Sequence, residues 1–95
     1  MIDTMKTEVD MLERHLHVLE MVRENGPIGI VKMSNESDHV RHEIRYSLRK
    51  LEEANLITPT QQGALSTEQS SSFIENLDEQ LNEMRAKIAA MRPGE

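Results

Sequence analysis

The run His39-Val40-Arg41-His42-Glu43-Ile44-Arg45-Tyr46-Ser47-Leu48-Arg49-Lys50-Leu51-Glu52-Glu53-Ala54-Asn55-Leu56-Ile57 decides how this chain folds. Val40, Ile44, Leu48 and Leu51 recur at spacings of four, four and three with charged residues between them. That spacing predicts a helix over about residues 39–55, buried along one stripe. At about 100° per residue the stripe stays within an arc of about 80°, and the opposite side collects His42, Arg45, Tyr46, Arg49 and Lys50. Directly after the helix, Leu56-Ile57-Thr58-Pro59-Thr60 is β-branched and proline-marked, and Gln61-Gln62-Gly63 has turn character before Ala64 and Leu65. A small β-hairpin is expected there, as an edge ribbon because proline cannot donate to a central ladder.

Upstream of this run, Ile28 to Met33 is an apolar cluster and Ser34 to Asp38 is polar, which predicts a short extended piece, a short helix and a turn. Before it, Ile2, Met5, Val9, Leu12, Leu16 and Leu19 alternate spacings of three and four, the mark of a long amphipathic helix over residues 3–25. Met11, Val18 and Val22 add a flanking stripe, so its second half has more apolar surface than one narrow seam needs. Asn25-Gly26-Pro27 ends it: Asn and Gly tolerate the left-handed conformation that closes helices, and Pro27 lacks the amide for continuation.

At the other end, Phe73, Leu77, Leu81, Met84, Ile88 and Met91 predict a last amphipathic helix, stopped by Arg92-Pro93-Gly94. Its start fits either Ser66-Thr67-Glu68-Gln69 or Ser72-Phe73-Ile74-Glu75, both of the form in which a Ser hydroxyl caps an amide and a Glu or Gln reaches back.

Ninety-five residues suffice for one domain with one core. With 37% hydrophobic residues, one Phe, one Tyr and no Trp, that core must be built from Leu, Ile, Val and Met, which favours packed helices. The chain has no cysteine, so it has neither a disulfide nor a thiolate site, and a cytoplasmic location is expected. Met1-Ile2-Asp3-Thr4 opens without a basic leader or apolar run, and no stretch of about 18 apolar residues occurs, so neither secretion nor membrane spanning is expected.

The net charge of −6 argues against indiscriminate coating of nucleic acid. Its distribution matters more: residues 1–25 carry 3 basic and 6 acidic side chains, residues 26–63 carry 5 and 5, and residues 64–95 carry 3 and 6. In the middle third, Arg41, Arg45, Arg49 and Lys50 fall in one stretch whose only acid is Glu43. A local basic patch survives the acidic total.

Helix, short helix, turn, helix and small hairpin is the order of a winged helix-turn-helix. Over Leu16 to Thr67 the sequence resembles the winged-helix transcription regulators, the small archaeal ones especially. The residues that carry the resemblance are Leu19-Glu20-Met21-Val22-Arg23-Glu24-Asn25-Gly26-Pro27, Arg45-Tyr46-Ser47-Leu48-Arg49-Lys50-Leu51-Glu52 and Asn55-Leu56-Ile57. It departs from the pattern in Asn55, where such sequences usually carry Gly, and in a wing without Lys or Arg. The wing then meets a phosphate only through amides or neutral side chains, or does not touch DNA.

The resemblance implies a recognition helix docked in the major groove of double-stranded DNA, with Arg41, His42, Arg45, Tyr46, Arg49 and Lys50 as its reading face. Arg can grip guanine through two parallel hydrogen bonds, whereas Lys50 near the helix end suits a phosphate. The plain alternative is a solvated face, which any amphipathic helix needs.

The expected architecture is mainly α with a small β-hairpin wing: a winged helix-turn-helix core over residues 16–66, a helical extension over 1–15 and a terminal helix over 67–92. The stripes at the two ends outrun what the core can cover. Met5, Val9 and Leu12 on one side, and Leu77, Leu81, Met84 and Ile88 on the other, either pack within one chain or form a homodimer interface, and dimerisation is expected.

Other chemistry has little support. His15 and His17 are two apart on a helix and point away from each other, while His39 and His42 share a face with Glu43 without an evident third ligand, so no metal site is expected. No phosphate loop, Ser-His-Asp order or His-Glu-x-x-His motif occurs, and the chain reads as a non-enzyme without a cofactor. A small-molecule effector has no specific support; its natural place is the junction of the long helices with the core. The competing reading is a protein-interaction module on the same scaffold, with its acidic terminal helices as the docking surface.

Overall fold

The computed structural model describes residues 1–93. It contains α1 (Ile2–Asn25), α2 (Ile30–Asn35), α3 (Arg41–Glu53), β1 (Ile57–Thr60), β2 (Gly63–Ser66) and α4 (Glu68–Ala89). The protein is mainly helical, with one two-stranded antiparallel hairpin in which Ile57 faces Ser66 and Thr60 faces Gly63. Among the described residues no helix is long and apolar enough to cross a membrane.

The core forms where the apolar stripes of the middle elements meet. Val18, Leu19, Met21 and Val22 from α1, Met33 from α2, and Ile44 and Leu51 from α3 are buried together with Ile28, Leu56, Ile57 and Ala64. Ile30, Leu48, Phe73 and Ile74 cover its margin. The double stripe in the second half of α1 is thus used on both flanks, against α3 on one side and the hairpin on the other.

Ile28 does emerge as an extended piece. Ile28 bridges Ala64, its amide donating to the Ala64 carbonyl at 3.2 Å and its carbonyl accepting from Ala64 at 2.8 Å. This docks the hairpin to the end of α1 and explains Gly63, which has φ +129 and faces the Ile28 backbone so closely that a Cβ would stand 2.4 Å from its carbonyl carbon.

Several local expectations are corrected. Gly26 closes α1 in an extended conformation, φ −65 and ψ 146, not a left-handed one. Glycine is needed for room: a Cβ would lie 2.6 Å from the Val22 carbonyl oxygen. The third helix begins at Arg41 and ends at Glu53, shorter than its stripe suggests. Val40 is its cap residue and remains 49% exposed instead of joining the core.

The last helix starts at Glu68, so neither Ser66 nor Ser72 caps it. Thr67, in the cap position, donates its hydroxyl to the Asn55 carbonyl at 2.6 Å, and Ser70 donates to the Thr67 carbonyl at 2.7 Å. The first turn of α4 is therefore bonded within itself through Ser70 and stitched by Thr67 to Asn55, just past the end of α3.

From there α4 runs back alongside α1 in the opposite direction. One concavity between them is lined by Leu16, Glu20, Ser70, Ile74 and Leu77, and a second, farther from the core, by Met5, Val9, Leu12 and Met84. The two helices form an arm that contributes to an overall extent of 55 × 27 × 21 Å.

Candidate nucleic-acid interface

α3 is fixed from below by apolar burial and from the side by a polar knot. On its inner stripe Ile44 and Leu51 are buried, and between them sits Ser47, a serine with no solvent exposure. A hydroxyl buried without partners would cost about 1–3 kcal/mol. Here α1 satisfies it: Arg14 Nε donates to Ser47 Oγ at 2.9 Å, and Ser47 Oγ lies 2.7 Å from Nδ1 of His15.

With Arg14 already donating, the serine's own hydrogen is assigned to Nδ1 of a neutral His15, which then carries its proton on Nε2. Burial pushes the His15 pKa below the ordinary histidine value, and the Arg14 and Lys50 charges lower it further against a smaller opposing pull from Glu8.

The same arginine steadies the start of α3. Arg14 Nη1 stands 3.6 Å from Glu43 Oε2, while Glu43 Oε1 accepts the Val40 amide at 3.3 Å. Glu43, the only acid within the basic stretch, is thereby engaged with α1 and with the helix start.

At the far end, Asn55 takes φ 62, and the Asn55 and Leu56 amides return to the Glu52 and Leu51 carbonyls, each at 2.9 Å. This is a Schellman closure, with the buried Leu56 and Leu51 as its accompanying apolar pair.

The outer face carries the six side chains singled out in the sequence. Arg41, His42, Arg45, Arg49 and Lys50 are exposed, and Tyr46 is half-buried. Tyr46 acts as a platform: the Arg49 guanidinium lies 5.2 Å from its ring centroid, the Lys50 ammonium 5.5 Å and the Arg14 guanidinium 5.8 Å.

Lys50 also approaches Glu53, at 3.9 Å across an exposed surface where such a pair contributes little. Among the described residues Arg41, Arg45 and Arg49 have no ion-pair partner. They succeed one another at intervals of four, so three guanidinium groups follow the helix over about 12 Å at 1.5 Å per residue.

A shallow concavity on this side is lined by Arg14, His42, Arg45, Tyr46 and Arg49. The arrangement offers planar, multiply donating cations on a rigid helix, which suits polyanion phosphates and the acceptor edges of guanine.

The hairpin adds no cation. Its turn is held by Thr60, whose hydroxyl donates to the Gly63 carbonyl at 2.6 Å and accepts from the Gln62 amide at 3.2 Å. No Lys or Arg occurs between Lys50 and Arg85.

Sequence reasoning missed Arg14, because its contribution depends on a contact 33 residues away. A signal was present in Ser47, a small polar residue beside the apolar stripe, where a buried hydroxyl needs a partner from another element. The residues expected to pair chains are exposed or half-buried on the arm. Met5, Val9, Met84 and Ile88 are exposed, and Leu12, Leu77 and Leu81 are half-buried. Neither protein-family models nor curated proteins give a match to this chain.

Proposed function

We propose that this protein is a DNA-binding regulator of winged helix-turn-helix type, acting as a homodimer. In this reading α2, the connection over residues 36–40 and α3 form the helix-turn-helix, and the β1–β2 hairpin forms the wing. The observation that carries it is the row Arg41, Arg45 and Arg49, exposed and without ion-pair partners among the described residues, on a helix that α1 clamps through Ser47 and Glu43.

α3 lies in the major groove. Arg45 and Arg49 read base edges, while Arg41, His42 and Lys50 meet phosphates, and Tyr46 orients Arg49 and Lys50. The neutral wing provides at most amide and hydroxyl contacts. The arm of α1 and α4 pairs two chains, so that two recognition helices engage two half-sites.

The test is selection from a randomised duplex pool, followed by affinity measurements at two salt concentrations. A cognate site should emerge, with log affinity falling as log salt rises. Replacing Arg45 and Arg49 together by Ala should abolish binding with helical content unchanged. Unchanged affinity in that variant overturns the reading.

A protein-interaction module is the second reading, favoured by the acidic outer elements and the apolar residues exposed on the arm. Failure to select any duplex would favour it.

A further inference from the structure

Outside the basic face, α1 makes a second side-chain connection to the segment leading into α3. Nδ1 of His17 lies 2.9 Å from Nε2 of His39, with ring centroids 5.0 Å apart and the ring planes inclined by 66°. His17 is exposed on α1 and His39 is half-buried in the turn before α3. Among the described residues neither imidazole makes another side-chain hydrogen bond. We propose that His17 and His39 form a two-imidazole binding site for a divalent ion of the nickel or copper kind.

Imidazole is the commonest side-chain metal ligand, and two of them from separate elements here face each other through unsubstituted ring nitrogens. At metal–nitrogen distances of about 2.0–2.1 Å, two cis ligands at a right angle stand about 2.9 Å apart, whereas tetrahedral ligands stand about 3.3–3.4 Å apart. The observed 2.9 Å is the length of the hydrogen bond that now joins the two rings and does not select between these angles; Ni²⁺ and Cu²⁺ are favoured because affinity for nitrogen ligands rises toward them among the first-row divalent ions. The two ring nitrogens now point at each other along this hydrogen bond, so both rings turn before their lone pairs converge on an ion.

Proton bookkeeping is simple. In the neutral pair one hydrogen lies between the two nitrogens. Binding moves it, through water, to the other nitrogen of the same ring, Nε2 of His17 or Nδ1 of His39, and both facing nitrogens then donate lone pairs. A protonated imidazole must first release its proton, so affinity falls on acidification.

Glu13 and Glu20 lie one turn to either side of His17 and Asp38 precedes His39, while Arg14, also one turn from His17, is engaged by Ser47 and Glu43. No group of three or more His, Asp or Glu suited to a metal occurs among the described residues, so water completes the coordination and the site binds exchangeably. An ion here ties α1 to the turn ahead of α3 and stabilises the fold by mass action.

Titration of the full chain with NiCl₂ in a calorimeter, with thermal unfolding measured in parallel, tests this directly. The expected result is one ion per chain and a higher unfolding midpoint with nickel. His17→Ala and His39→Ala should each weaken binding at least tenfold and remove the nickel-dependent shift, while His42→Ala keeps both.

With one equivalent of CuCl₂, electron paramagnetic resonance should show two coordinating imidazole nitrogens. Circular dichroism confirms that each variant is folded, and His39→Gln, which keeps a polar group in the turn, serves if His39→Ala is not. Wild-type binding retained in both the His17 and His39 variants, or no binding by the unaltered chain, overturns the proposal.

Discussion

Ser47 is the residue on which the orientation of α3 turns. Its hydroxyl is fully buried, and its partners, Arg14 and His15, belong to a helix that ended more than twenty residues earlier. Because His15 is held neutral with a pKa below the ordinary value near 6.5, it contributes to the pH dependence of folding. The unfolded chain takes up the His15 proton more readily than the folded one. The contribution is therefore complete above about pH 6.5 and is lost as the pH falls through the lowered folded value. His15→Gln removes that titration. The urea midpoint of the unaltered protein should consequently fall more steeply than that of the variant between pH 7.5 and 5. Parallel slopes would mean that His15 titrates alike in both states.

The elements show where local sequence is enough and where it is not. α3 ends at a Schellman closure that requires a left-handed residue, and Asn55 supplies it at φ 62. Asn tolerates this region and Gly enters it freely, whereas Ala loses roughly 1–2 kcal/mol there. Asn55→Ala should thus lower stability by about that amount, while Asn55→Gly leaves it equal or raises it; denaturant unfolding of the three chains decides. The long helices, the stop at Asn25-Gly26-Pro27, the extended Ile28 and the hairpin were all legible, because each follows from residue spacing or backbone chemistry over a few positions. The misread details depend on packing partners. Val40 stays exposed because the helix begins one residue later, and Thr67 reaches Asn55 instead of capping α4. In the candidate site the outer cations were legible from the helical projection. Arg14 and the contact between His17 and His39 were not, since they join residues 33 and 22 apart.

At the scale of the whole molecule, the arm holds more apolar surface than a lone chain hides. α4 lies beside α1, yet Met5 remains 57% exposed, Val9 52%, Met84 46% and Ile88 56%. Antiparallel pairing within the chain therefore does not exhaust the two stripes. Scattered exposed apolar residues are ordinary on a protein surface, but these four recur on two neighbouring helices, far from the core that holds the rest of the fold together. The proposed dimer buries them against their copies, and two-fold symmetry makes one patch serve on both sides. Introducing charge separates this use from a role in folding, because none of the four belongs to the core cluster. Val9→Asp combined with Ile88→Asp should convert a dimer into a monomer in sedimentation equilibrium at micromolar concentration, while circular dichroism of the core helices persists. Affinity for a two-half-site duplex should drop with it, and affinity for a single half-site should not, since α3 and its Arg14 clamp are untouched. A monomeric unaltered chain would remove the dimer from the proposal and leave α3 to act on a single site.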